Sequence, residues 1–297
     1  MDVEIVAEGL QFPEGPIVFA DGSVILVEIA AGALSRVHNG RIERLVDLGG
    51  GPNGAALGPD GAVYVCNNGG RFQFVEKDGL RFSGPRPAAH KGGMIQRVDL
   101  NTGGFETLYE ACEGRRLLAP NDLVFDRQGG FWFTDYGTGD ANGGLFYAAP
   151  DGSSIACLKD NMVSPNGVGL SPDENTVYVA DTYARKLRAF GLKSAGVFAE
   201  KQSRPDNAVA ETPENNFLDS LAVEANGKVC VATLRNGGVT VFDPDGAFEH
   251  VSVPDPMVTN ICFGGADMKD AYLTLSSSGR LGKLRWPRAG LRLNFQR

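Results

Sequence analysis

The sequence predicts an all-β protein, a six-bladed β-propeller with four antiparallel strands per blade, and three observations carry that prediction. The first is composition: 40 glycines and 16 prolines in 297 residues, beside 42% hydrophobic and 22% charged residues, describe a globular chain broken by many tight turns. The second is a turn followed by an alternating apolar strand that recurs six times, at ADGSVILVE (20–28), PDGAVYVC (59–66), RQGGFWFTD (127–135), PDENTVYVAD (172–181), ANGKVCVAT (225–233) and KDAYLTL (269–275). The third is a second element upstream of each: FPEGPIVF (12–19), GPNGAALG (51–58), APNDLVFD (119–126), SPNGVGLS (164–171), FLDSLAVE (217–224) and VTNICFGG (258–265).

Within each unit the upstream element ends a loop and begins a strand, and the alternating element supplies a second. A third strand with its own turn follows in several units, as in GALSRVHNGRI, GLFYAAPDGS and GVTVFDPDGA, and a fourth follows in RIERLVDL or EHVSV. A fixed period of tens of residues marks repeat architectures, and four short strands per repeat mark a propeller, which packs its sheet edges around a central channel. Two stacked β-sandwiches would also give short strands and frequent turns, but have no reason to repeat one signature six times. Neither 105–118 nor 196–204 holds an apolar 3.6-residue period for three turns, so both are expected to be strand or loop. Residues 1–297 are therefore expected to form one propeller domain with an insertion at about 67–93.

Charge and cysteine usage narrow the function classes. A formal net charge of −8 and no run of Lys or Arg argue against a nucleic-acid partner. The opening MDVEIVAEGL has neither a basic n-region nor an apolar core, and nowhere do eighteen apolar residues run together, so no membrane association and a cytoplasmic location are expected. Cys66, Cys112, Cys157, Cys230 and Cys262 are an odd set in no metal-type spacing, which reads as free thiols. No obligate protein partner is inferred.

Aligning the six upstream elements places one polar residue at the same point of each: Glu14, Asn53, Asn121, Asn166, Asp219 and Asn260. Equivalent positions of a propeller are related by rotation about its axis, so if one points into the channel, all six form a ring. Two converging carboxylates repel each other unless a cation neutralises them. Carboxylate and amide oxygens without imidazole or thiolate are hard ligands, which puts Ca²⁺ first, with Mg²⁺, Mn²⁺ and Zn²⁺ behind it. Asn and Asp before a strand also serve as turn formers; Glu is a poor one, which singles out Glu14, between Pro13 and Gly15, as a ligand. Asn53 and Asn260 are placed as channel-lining residues in reach of substrate.

These motifs resemble the senescence marker protein/gluconolactonase (regucalcin-like) family of six-bladed propellers. The resemblance rests on FPEGP (12–16), APNDLVFD followed by GGFWFTD, SPNGVGLSPDENTVYVADT (164–182) and LDSLAVEANGKVCVAT (218–233), and spans nearly all of the chain. It implies one divalent cation held by Glu14, Asn166 and Asp219, with Asn121 contacting substrate and metal, and it implies Asp219 as proton acceptor and donor. The implied activity is hydrolysis of a small lactone, with phosphotriester hydrolysis on related propellers. Two departures stand out. The family's PDG reads Leu218-Asp219-Ser220 here, and the place where some sugar lactonases carry an Arg, two residues before the PND asparagine, holds Ala119.

Other hydrolytic machinery is hard to assemble. The chain has three histidines, His38, His90 and His250, and no GxSxG elbow. A cation with open coordination could instead polarise a lactone carbonyl while Asp219 handles water and proton. The alternatives are a phosphotriesterase-like hydrolase, served equally well by the same groups, and a non-catalytic calcium-binding propeller, which would have no need of two acids inside its channel. The interval from Asn53 to Asn121 is 68 positions, against 39 to 53 elsewhere in the ring. Its extra segment, NNGGRFQFVEKDGLRFSGPRPAAHKGG (67–93), carries Phe72, Phe74, Phe82 and three arginines and reads as a lid that favours substrates of apolar or aromatic character, with Asn68 at its root reaching the site.

Overall fold

The computed structural model describes residues 2–297. Six antiparallel sheets of the expected propeller are present, and among the described residues the one helical element is the 3₁₀ turn Pro205–Asn207. The innermost strands are Pro13–Val18, Pro52–Leu57, Pro120–Phe125, Pro165–Leu170, Asn216–Val223 and Val258–Gly264. Each pairs with the alternating strand that follows it: Val24–Glu28, Val63–Asn67, Phe131–Asp135, Thr176–Asp181, Val229–Arg235 and Asp270–Leu275. Four of the six inner strands begin with proline, at the first strand position, where a missing N–H costs the ladder little.

The second strands read as nearly unbroken apolar runs because both of their faces are covered. In Val24–Glu28, Val24 and Leu26 pack with Tyr272 and Leu281 of the sixth blade, while Ile25 and Val27 pack with Val63 and Val65 of the second. Alternation thus feeds two inter-blade cores rather than a core and solvent. The pattern repeats around the ring: Tyr64, Ile95, Phe131 and Phe133 fill the space between the second and third blades, and Trp132, Val177 and Val179 that between the third and fourth. Outermost strands such as Arg41–Asp47 face water along most of their length.

The circle closes by chain exchange. Glu4–Glu8 supplies the outermost strand of the sixth blade, pairing with Arg280–Arg285, so that the first residues lock the last sheet. The segment after that sheet crosses the lower mouth of the channel. Its Leu291 N–H donates to the Val223 carbonyl, Asn294 Nδ2 to the Phe125 carbonyl and Gln296 Nε2 to the Phe263 carbonyl, while the Ala20 N–H donates to Arg297. Glu224, fully buried, takes the Trp286 indole N–H and the Arg288 guanidinium.

The segment 67–93 leaves the second blade after Asn67 and forms a hairpin of Phe74–Lys77 and Leu80–Ser83. The hairpin lies over the upper mouth of the channel: Phe74 and Phe82 pack on Phe12, Ile29 and Met257, and the Arg81 backbone exchanges hydrogen bonds with Ser277.

Candidate active site

The inner strands bring their first turns together at the axis. Close approach there requires glycine at some positions: a Cβ on Gly54 would stand 2.6 Å from the Asn121 carbonyl oxygen, and one on Gly167 2.7 Å from the Asp219 carbonyl oxygen. Three of the ring residues are aimed by a side chain at the end of the second strand of their blade. Asp135 accepts from the backbone N–H of Leu118, Ala119 and Gly137 and so fixes the loop that delivers Asn121. Asp181 holds Ser164 ahead of Asn166, and Asn67 holds Gly51 ahead of Asn53.

A cavity of about 600 Å³ opens above this ring. Glu14, Asn53, Asn121, Asn166 and Asp219 all line it. The sixth member is Thr259, which corrects the placement of Asn260. In the sixth blade Val258 pairs with Leu275 and Ile261 with Leu273, the same spacing as Pro120 with Asp135 and Leu123 with Phe133 in the third. Counting from that register, Thr259 is the counterpart of Asn121, and Asn260 that of Asp122, one step deeper. The sequence offers an asparagine within one residue of the expected place and no proline to anchor the count. Asn260 does meet the site from below, donating its Nδ2 to Glu14 Oε2 at 2.7 Å.

The expected substrate contact from Asn68 is not met by its placement either. Its Oδ1 accepts from the backbone N–H of Gly70 and Arg71, which turns the side chain back into its own loop and out of the cavity lining. His90 serves the same loop, its Nε2 2.8 Å from the Asn68 carbonyl oxygen.

Electrostatics distinguish the acids. Glu14 is 2% exposed and Asp219 7%. Burial pushes the Glu14 carboxyl up to about 7, with hydrogen bonds from Asn260 and the Gly15 N–H offsetting part of the effect. Burial, then the Glu14 charge, pushes Asp219 well above the usual carboxylate range, and Asn166 partly restores it. Asp122, in the layer below, is pushed up to about 8 by burial and then by Glu14. Neither Glu14 nor Asp219 meets a basic side chain among the described residues, and Asn121 Oδ1 is buried with no hydrogen-bond partner. Unpaired buried acids beside an orphaned amide oxygen fit a hard divalent cation, which satisfies all three. The acids are interspersed with amides: among the described residues no three Asp, Glu, His or Cys side chains gather as a metal cluster.

Sequence reasoning did not reach Tyr136, Tyr183, Phe217 and Arg235, which form the cavity wall above the ring together with Arg71, one of the three arginines of the insertion. Tyr136 and Tyr183 sit in loops after second strands, Arg71 in the insertion, Arg235 at the end of a second strand and Phe217 ahead of the ring position in an inner strand, all outside the one aligned polar position. Asp122 was missed as well, although a carboxylate between Asn121 and the apolar run Leu123–Phe125 was a signal available in the sequence.

Residues 12–277 match the family described as SMP-30/Gluconolactonase/LRE-like region. The chain belongs to this family. Among its curated members, a gluconolactonase of Zymomonas mobilis subsp. mobilis is 24% identical over 95% of this chain and 81% of its own length. Lactonase drp35 of Staphylococcus aureus is 28% identical over 82% of this chain and 70% of its own. The fold matches a gluconolactonase of Xanthomonas campestris with a TM-score of 0.76 at 24% identity, covering 96% of this chain and 89% of the other. It also matches the calcium-binding protein regucalcin of Agrobacterium tumefaciens with a TM-score of 0.73 at 20% identity, covering 97% of both chains.

Proposed function

We propose that this SMP-30/gluconolactonase family member is a metal-dependent lactonase that opens a small lactone at the axial cavity. The observation that carries the proposal is the convergence of Glu14, Asp219 and the orphaned Asn121 Oδ1 on one cavity at the propeller axis. The family's lactonases support the reaction class. Glu14, Asn166, Asp219 and Asn121 would hold one divalent cation, with Ca²⁺ the first choice for an all-oxygen donor set, and the ion would supply Lewis-acid polarisation of the lactone carbonyl.

The chain's own groups supply the rest. Asp219, which the bound cation would favour as the carboxylate, accepts a proton from the attacking water as its oxygen bonds to the carbonyl carbon. When the ring C–O bond breaks, Asp219 returns that proton to the departing alkoxide, giving the hydroxy acid with no net change at the enzyme. Asn53 and Asn121 present amide groups to the ring substituents and fix the face of the lactone toward Asp219. The hairpin over the mouth limits water around the reacting centre.

The test combines cation removal with one substitution. Chelation should abolish hydrolysis of lactones and Ca²⁺ should restore it. Asp219→Asn should lower kcat by at least about a hundredfold, the scale of a general base. Full activity in excess chelator, or an Asp219→Asn variant near wild type, would refute the assignment. Hydrolysis of a phosphotriester but of no lactone would give the site to the phosphoryl reaction, and cation binding without any hydrolysis would make the protein a calcium-binding propeller.

A further inference from the structure

One wall of the cavity carries a cation that the proposed chemistry does not use. Arg71, in the insertion, lines the cavity and is 9% exposed. Its Nε is buried without a hydrogen-bond partner, and no carboxylate pairs with it among the described residues. Several other arginines have a carboxylate partner: Arg97 meets Asp60, Arg188 Asp181 and Arg288 Glu224. Arg71 instead lies against ring faces, its guanidinium carbon 5.1 Å from the Phe72 centroid and 5.9 Å from that of Tyr136. Arg235, on the same wall, stands 4.3 Å from the Phe217 centroid.

A buried guanidinium without a counter-ion is costly, and ring faces return only part of that cost. Stacking also leaves the edge of the guanidinium, with its fork of N–H donors, free to bond an anion in the plane. The acids lie on the floor of the cavity and the free cations on its wall. A ligand with a negative group at one end is therefore repelled from the floor at that end and drawn to the wall.

We infer that Arg71, assisted by Arg235, is an anion-recognising specificity residue, and that the preferred substrate is a lactone bearing an anionic oxygen substituent, a carboxylate or a phosphate, away from the scissile ester. The inference rests on the lactonase proposal for its substrate class, whereas the anion subsite itself does not. The anion stays intact: it is bound at Arg71 while the ring ester opens at Asp219.

Steady-state kinetics with D-glucono-1,5-lactone, D-glucaro-1,4-lactone and 6-phosphoglucono-1,5-lactone test the substrate class, and the last two separate carboxylate from phosphate. Wild type should prefer one of the two anionic lactones to the neutral one by at least about tenfold in kcat/KM. In Arg71→Met that preference should collapse by about 10- to 100-fold through KM, the span of a lost charge-assisted pair, and Arg71→Lys should recover part of it. A purely structural Arg71 would lower all three substrates together, and that result overturns the inference.

Binding measured by calorimetry keeps the subsite separable from the reaction. Tetrahydrofuran-2-carboxylate and tetrahydrofurfuryl alcohol share a ring and have no scissile bond. The acid should bind wild type at least about tenfold more tightly than the alcohol, and Arg71→Met should erase the difference. Equal binding of the two by wild type, or no binding of either, refutes the anion subsite whatever the kinetics show. Arg71-dependent binding of the acid in a protein that opens no lactone would keep the subsite and reject the lactonase proposal.

Discussion

Asp135 offers a quantitative test of how the second strands aim the ring. Its carboxylate is buried and accepts three backbone N–H groups, from Leu118 at 2.6 Å, Ala119 at 2.7 Å and Gly137 at 3.0 Å. A hydrogen bond to a charged acceptor contributes about 1.5–3 kcal/mol, and a stranded buried donor costs about 1–3 kcal/mol. Burial also pushes the Asp135 carboxyl up, with the three N–H groups pulling against it, so the lower end of those ranges applies. Asp135→Ala should therefore cost about 4 kcal/mol. In Asp135→Asn the oxygen that serves Ala119 and Gly137 survives, and only the Leu118 N–H faces a new donor, so about 1–2 kcal/mol is expected. At roughly 2 °C per kcal/mol for a chain this large, melting by calorimetry should fall by about 8 °C for Asp135→Ala and by about 2–4 °C for Asp135→Asn. Because Asn121 follows the clamped loop directly, kcat/KM of the alanine variant, measured well below its melting point, should fall by at least about tenfold. An alanine variant that melts within about 1 °C of wild type, or one more stable than the asparagine variant, would refute the reasoning.

The remaining expectations concern the axis, the mouth and the acids. Gly54→Ala places a Cβ 2.6 Å from the Asn121 carbonyl oxygen and 2.6 Å from Asp122 Cα; backbone cannot yield as a side chain does, so a loss of about 3 kcal/mol is expected in urea denaturation. Replacing residues 70–91 by a short turn should leave the affinity for Ca²⁺, followed by calorimetry, within about threefold of wild type while changing the ranking of a panel of lactones; an unchanged ranking would show that the hairpin plays no part in selection. In chelated protein, Glu14 takes up a proton as pH falls through about 7, whereas it does so only near 4.5 when unfolded. The folded state thus binds more protons between those values, so the metal-free protein should lose stability as pH rises from about 4.5 to 7, by on the order of 3 kcal/mol for Glu14 alone. Cation affinity should rise over the same interval, because the cation competes with that proton. Melting curves from pH 5 to 8, with chelator and with Ca²⁺, should diverge as pH rises; parallel curves would argue against Glu14 as a ligand.

The blades were legible because the repeat is a property of the strands. Val24–Glu28 and Phe131–Asp135 carry the same alternation for the same reason, that each face meets a different neighbouring blade. Five of the six ring positions follow from that alignment, since Pro13, Pro52, Pro120 and Pro165 mark the count directly and Leu218 stands in the same place. The sixth blade has Val258 there, and without proline the nearby asparagine drew the alignment one residue too far, past Thr259. The wall was not legible for a different reason. Arg71, Tyr136 and Tyr183 sit in loops of unequal length and Arg235 at the very end of its strand, so their meeting depends on where each segment ends in space and leaves no period in the sequence. Asn68 shows the converse: its position in the chain suggests the site, but the glycines after it form a turn that takes its oxygen for Gly70 and Arg71.

Sixfold geometry by itself would place six like groups around the axis, and six like carboxylates could not be buried there. The chain departs from symmetry at the points where chemistry needs it. Amides at Asn53, Asn121 and Asn166 and a hydroxyl at Thr259 keep the ring polar without adding charge, leaving Glu14 and Asp219 as its two acids. Thr259 is consumed by structure, its hydroxyl bonded to Thr274, Ser276 and the Pro13 carbonyl, whereas Asn121 keeps an oxygen with no partner. The third blade therefore brings an unsatisfied acceptor, Asn121 Oδ1, to the cavity, and Arg71 and Tyr136 rise from the loops above it. A ligand seated on that side meets acceptors below and a free cation beside it, which is the polarity a lactone with a remote negative group requires.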